Sequence, residues 1–279
     1  MKRIVIALTA CLTVCSPVST FGQNDVSTND SKMITVGGKK ISAAKLRETI
    51  RKVQLKKTGG MIREKGSAKG EFVILNTQRF ISANVFKSVT DTIDKWLLMQ
   101  TSVKDVSNEK INISNIKAKI KSFGGVVGVG IFDDPSLPGF LAAPEEGWAI
   151  VNVAALAKDK PNREVLNARL RKETLRAFAF VTGGAYQSKA CALMRDVKSL
   201  ADIDMMPERF GLDTITHIRN SAPFYGLVPW YQTTYLKACE EGWAPAPTNE
   251  YQKAIWEQVK ADKERGPTNP IKIPMPKKK

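Results

Sequence analysis

Glu173 stands where hydrolytic chemistry would need a base. The stretch Arg171-Lys-Glu-Thr-Leu-Arg-Ala-Phe-Ala-Phe-Val-Thr-Gly-Gly184 reads as the end of a helix. A helix that binds zinc for hydrolysis presents two histidines at i and i+4, with a glutamate beside the first to activate water. Here those two positions hold Lys172 and Arg176, and the place of a third ligand, six residues on, holds Thr182. Two cations repel a metal dication. No metal and no other cofactor is expected, because the only histidine, His217, and the cysteines Cys191 and Cys239 show no ligand spacing.

Carboxylates are the chemistry that remains. Two acids within reach of one water can share a proton and hydrolyse an amide or glycoside. Glu173, with Asp196 or Asp134, is the candidate set if the protein is active. The sequence contains neither an Asp-Thr-Gly nor an Asp-Ser-Gly signature, and no G-x-S-x-G elbow supports a serine nucleophile. A second reading gives the helix no reaction. Lys172 and Arg176 together carry the charge of a dication and could pair with Glu173, Asp196 or the Asp133-Asp134 corner. A third makes Arg169, Lys172 and Arg176 a solvated basic stripe.

The elements that position these residues follow from apolar spacing. Pro161 and Asn162 precede the central helix, Leu166, Leu170, Thr174, Phe178 and Val181 give it a buried stripe, and Gly183-Gly184 ends it. Upstream, Phe72–Leu75, Val126–Phe132 and Trp148–Val153 read as buried strands. Residues 82–99 and 114–122 read as helices, and 137–144 as irregular. Alternating strands and helices predict an α/β (α+β) fold, a mixed sheet with packed helices, followed by a mostly helical C-terminal part. Tyr231–Glu241 and Asn249–Ala261 are its helix candidates.

The two ends of the chain concern compartment and charge. Lys2 and Arg3, the apolar run Ile4–Val14 and small residues to Gly22 form a secretory signal peptide at 1–22. Export to the periplasm or medium is expected. Leu8-Thr9-Ala10-Cys11 also fits a lipobox, so a lipid anchor at Cys11 is the alternative. No later run is long enough to cross a membrane. The formal charge of +16 falls to +14 without Lys2 and Arg3. Residues 32–70 hold 12 Lys and Arg against Glu48 and Glu64, and part of this block, from Ser42 to Gly60, reads as a basic amphipathic helix. Such a block attracts acidic glycan, anionic lipid or nucleic acid, the last disfavoured by export. The divisions expected are an N-terminal arm at 23–70, a core at 71–210, a helical subdomain at 211–263 and a basic, proline-rich tail at 264–279. Cys191 and Cys239 could pair in an oxidising compartment or stay as buried thiols.

Cys191-Ala-Leu-Met-Arg-Asp-Val-Lys-Ser-Leu-Ala-Asp-Ile-Asp204 is similar to the cysteine, methionine-turn and acidic segment of the archaemetzincins. Val129–Asp134 and Trp148–Leu156 resemble the strands that precede the active helix in that family. The resemblance spans about residues 72–210. It implies a metzincin-like, peptidase-like fold in which Lys172, Arg176 and Thr182 occupy degenerate ligand positions and Met194 the methionine turn. The sequence departs from the family in the Cys191–Met194 spacing, in the longer interval from Thr182 to Cys191, and in lacking paired C-terminal zinc cysteines. Lys237–Pro247 also resembles exported proteins of mucosal Verrucomicrobia-like bacteria. The expected function is binding without catalysis, with a peptide, glycoprotein, acidic glycan or envelope component as partner. A non-zinc, acid-carboxylate peptidase or hydrolase is the alternative.

Overall fold

The computed structural model describes residues 33–36, 39–184 and 192–266. The signal peptide expected at 1–22, Cys11, Cys191 and the tail from Pro267 lie outside them. The chain divides into two compact units, Met1–Lys52 and Val53–Lys279. In the first, β1 (Met33–Val36) pairs antiparallel with β2 (Lys39–Ser42), setting Ile34 opposite Ile41. Helix α1 (Ala43–Thr58) follows without a break and carries the boundary between the units.

The second unit is built on a five-stranded sheet in the order β5-β4-β6-β8-β7. β4 (Phe72–Asn76), β5 (Thr101–Asp105), β6 (Val127–Phe132) and β8 (Trp148–Asn152) run parallel, while the edge strand β7 (Phe140–Ala143) is antiparallel to β8. Parallel strands need crossover connections; helices supply those from β4 to β5 and from β5 to β6, while the return from β6 to β8 runs through β7. Every residue of β4, β6 and β8 is buried, so side chains alternate between two covered faces rather than between core and water. Phe72, Ile74, Val129 and Val151 face the core that holds α2 (Lys87–Leu97) and α5 (Arg163–Val181). Val73, Leu75 and Ile150 face Ile116 and Ile120 of α3 (Ile116–Ser122). The result is a mixed sheet between two helical layers.

Glycine permits the second layer to sit so close. A Cβ on Gly128 would lie 2.5 Å from the Val73 carbonyl oxygen and 2.8 Å from Ile120 Cγ1. The carbonyl belongs to the ladder and cannot retreat.

α4 (Val153–Leu156) turns the chain from β8 towards α5. After α5 come α6 (Leu200–Met205), α7 (Leu212–Ser221), α8 (Tyr235–Glu241) and α9 (Glu250–Arg265). Residues 63–70, the end of the expected N-terminal arm, are partly held by this C-terminal part. β3 (Met61–Arg63) pairs antiparallel with β9 (Gln232–Thr234), and Lys69 bridges Val228. Tyr235, Cys239 and Ile255 form a small core of their own beside Ile62. The segment 137–144, read as irregular, contains β7. The helix expected at 82–99 begins with a 3-10 turn, Ala83–Phe86, before α2. Among the described residues no helix is long and apolar enough to cross a membrane.

Candidate functional site

Asn162 caps α5 by accepting the Val165 N–H at 2.9 Å, and Glu164 lies in the first turn against the positive end of the helix dipole. The first half of α5 is amphipathic. From Arg169 onward it is enclosed on nearly every side, because residues 192–210 cross over the face turned away from the sheet. Leu193, Met194, Ile203, Met206 and Phe210 join the core that already contains Leu170, Ala177 and Phe178. Phe178 stands edge-on to Phe72 at 4.9 Å and lies 5.8 Å from Phe210, touching a strand on one side and the overlying segment on the other.

Glu173 is therefore buried, with 1% of its surface exposed. Its carboxylate accepts from Arg176 NH1 at 3.0 Å and 3.3 Å, one turn along the same helix. Burial pushes the Glu173 carboxyl above its ordinary range, against the opposing pull of Arg176. Arg176 is itself 8% exposed, and its guanidinium lies against two rings, 4.5 Å from the centroid of Phe140 on β7 and 5.3 Å from that of Phe180. Aromatic faces partly replace the water a cation loses on burial. Its Nε has no hydrogen-bond partner among the described residues.

The other basic residues of α5 fasten the overlying segment. Arg169 is 3% exposed and uses all five of its N–H donors. Nε and NH2 bind Asp204 at 2.8 Å and 2.7 Å, NH1 and NH2 bind Asp159 at 2.6 Å and 2.8 Å, and NH1 also reaches the Leu156 carbonyl at 2.8 Å. Hydrogen bonding to Arg169 holds both aspartates below the usual carboxylate range and makes the arginine harder to deprotonate. Arg171 forks onto Glu208 at 2.7 Å and 2.9 Å. Lys172 Nζ donates to the carbonyls of Ile203 and Asp204, at 3.1 Å and 2.7 Å, in the last turn of α6. Arg169 and Arg176 are thus no solvated stripe. Lys172 pairs with backbone, and only Arg176 of the proposed charge pair meets a carboxylate.

The remaining site residues fall in separate places. Asp196 is exposed, with Lys198 Nζ at 3.9 Å. Asp134 accepts the Ser136 N–H and hydroxyl at 2.8 Å and 2.7 Å, which lowers its pKa. Neither is hydrogen-bonded to Glu173 among the described residues. Thr182 ends α5, donating its hydroxyl to the Phe178 carbonyl at 2.7 Å, while Ser221 of α7 donates to the Thr182 carbonyl at 2.5 Å. Gly183 next to it has φ +82°, and a Cβ there would meet Ser221 Oγ at 2.5 Å. Met194 is fully buried in the main core. Asp202 and Ser199 form a reciprocal capping box that starts α6. Cys239 is a buried thiol, and its suggested partner Cys191 lies outside the described residues. His217 is exposed on α7.

Zinc does not fit these residues. The positions read from the sequence as degenerate ligand places hold a lysine bonded to carbonyls, an arginine bonded to Glu173, and a threonine hydroxyl committed to its own helix. Among the described residues no group of three or more His, Cys, Asp or Glu is arranged to hold a metal ion. Sequence inspection placed Glu173 and Arg176 one turn apart but missed Asp159, Phe140 and Glu208 as partners of this helix. A buried arginine beside an apolar helix stripe is a signal that acids lie within reach, and Arg169 next to Leu170, paired with the half-exposed Asp159 and Asp204, is such a case.

No family model and no curated protein matches the sequence. Among solved structures, the chain is similar to the archaemetzincin of Methanopyrus kandleri, at 15% identity and a TM-score of 0.46, over 58% of this chain and 99% of that one. A zinc-dependent peptidase from Methanocorpusculum labreanum gives 14% and 0.41, over 53% and 100%. The archaemetzincin of Archaeoglobus fulgidus, complexed with malonate, gives 18% and 0.38, over 53% and 99%.

Proposed function

We propose that this chain is an exported, catalytically degenerate archaemetzincin-like protein that binds a peptide, glycoprotein, acidic glycan or envelope partner and does not cleave it. The observation that carries the reading is the Glu173–Arg176 pair. A general base must meet a water beside the scissile bond. Glu173 instead meets a guanidinium, in a place where 1% of its surface touches solvent. With a permanent cation beside it and its proton affinity raised by burial, it is not open to a substrate from solvent. On this reading Arg176 provides, from within the helix, the positive charge that a metal supplies in a working site. Lys172 supplies mechanical attachment of α6.

Elemental analysis of the purified full chain tests this, together with cleavage assays on peptides and mucin in the presence and absence of a chelator. The expected result is no stoichiometric zinc and no cleavage, with mucin or peptide retained on an affinity surface. Stoichiometric zinc with chelator-sensitive cleavage overturns the proposal. Cleavage that survives chelator but is lost in Glu173→Gln would put the acid-carboxylate hydrolase in its place.

A further inference from the structure

Helix α1 presents an unusual balance for a folded protein. Of its 16 residues, Ala43 alone is buried. A helix of this length, roughly 24 Å, is marginal in water unless something covers one of its faces. Leu55 lies on the far side, 38% exposed, but the other large apolar residues of the helix share one face. At 100° per residue, Leu46, Ile50 and Val53 fall within about 60° of one another. Ile50 and Val53 leave 48% and 49% of their surface in solvent. Lys45, Lys52 and Lys56 line one flank of this stripe and Arg47 and Arg51 the other, with Lys57 at its end. Glu48, the one acid of the helix, lies on the opposite side and pairs with Lys52 at 2.7 Å.

We propose that α1 is an interfacial helix, which lays the Leu46–Ile50–Val53 stripe on an anionic lipid surface and sets the flanking lysines and arginines among headgroup phosphates. Charge selects this occupant over a second copy of the chain, since six cations against one acid on each helix would repel their like. The apolar stripe selects it over a soluble polyanion, which binds cations and gains nothing from exposed isoleucine and valine. Cations along both edges of a narrow apolar strip are the arrangement that lets long side chains reach headgroups while the strip enters the acyl boundary. The stripe is short, so attraction between opposite charges dominates and binding falls with salt. This surface is separate from Glu173 and holds whether or not the protein cleaves anything.

Co-sedimentation of the full chain with vesicles tests it, using phosphatidylcholine alone and with phosphatidylserine, at low and physiological salt. The chain is expected to bind the anionic vesicles in preference. Lys45→Glu with Lys56→Glu should weaken that binding at least tenfold. Ile50→Asn with Val53→Asn, which keeps every charge, should weaken it severalfold while leaving retention on heparin unchanged. Attachment through the apolar run Ile4–Val14 would register on neutral vesicles and in every variant alike. These residues are exposed, so the variants should melt with the parent chain, and a matching melting temperature guards against misfolding. Equal vesicle binding by the asparagine variant and the parent overturns the proposal, as does heparin binding without preference for anionic vesicles.

Discussion

Replacing Glu173 and Arg176 one at a time and then together separates a structural ion pair from a catalytic remnant. The two side chains are 1% and 9% exposed and 3.0 Å apart. Removing one member of a buried pair strands the other, at a cost of about 3–5 kcal/mol. Replacing both with apolar residues of similar volume is often close to neutral. Glu173→Leu should therefore destabilise the protein by about 3 kcal/mol, the low end, because Phe140 and Phe180 still cover the guanidinium. Arg176→Met should cost about as much at neutral pH. The double variant should lose about 1 kcal/mol, mainly the ring contacts, leaving a coupling energy of several kcal/mol.

The two single variants also differ in pH dependence. The Glu173 pKa is raised in the folded state by burial, so stability falls as pH rises through the unfolded value and towards the folded one. Arg176→Met removes the opposing attraction and widens that window, so its penalty should shrink towards pH 5. Glu173→Leu has no such group and should show no matching trend. Urea titration followed by tryptophan fluorescence measures all three. Single losses below about 1 kcal/mol that simply add would refute the pairing argument.

Arg169→Met should cost about 3 kcal/mol, discounted for the half-exposed aspartates, and lower the melting temperature by about 6–12 °C. Asp159 and Asp204 have depressed folded pKa values, so the stability they share with Arg169 is present at neutral pH and is lost as pH drops below about 4, the unfolded aspartate value. Urea midpoints at pH 3 and pH 7 should accordingly differ less in the variant than in the parent. Gly183→Ala should destabilise by about 1–2 kcal/mol from the left-handed backbone alone, with the Ser221 clash added, as read by calorimetry. An excess of chelator should leave the melting temperature within a degree or so of its value without chelator; stabilisation by a bound metal would instead vary with its free concentration.

Much of this fold was legible because apolar spacing is a local property. Phe72–Leu75, Val126–Phe132 and Trp148–Val153 are apolar runs interrupted only by glycines and Asn152, and each contains most or all of a central strand. β5, Thr-Ser-Val-Lys-Asp, and β7, lying between Pro138 and Pro144, were not legible. Both are edge strands, whose residues answer to partial solvent exposure and to one neighbour rather than to a core. In the site, the spacing from Glu173 to Arg176 already implied a pair. Burial of that pair did not follow from α5 alone. It depends on Met194, Ile203 and Phe210 covering the helix, held by Asp204 and Glu208 more than 30 residues away. Sequence spacing could rank the residues of α5 by face but could not say that both faces would be covered.

The pairing of β3 with β9 has a consequence for how the chain reaches its native state. Met61 faces Thr234 and Arg63 faces Gln232. Gly59 offers its carbonyl to Gln252 Nε2, 193 positions later in the sequence. Segments near one end must wait for segments near the other, and loop closure on that scale slows folding and makes it late. The sheet and α5 can assemble from residues 72–210, but Tyr235, Cys239 and Ile255 gain their cover only when β3 returns. A chain cut short before Gln232 should therefore leave β3 an unpaired edge, open to association with other chains. Quality control of this molecule would then rest on the segment from Gln232 onward, well after the helix that bears Glu173.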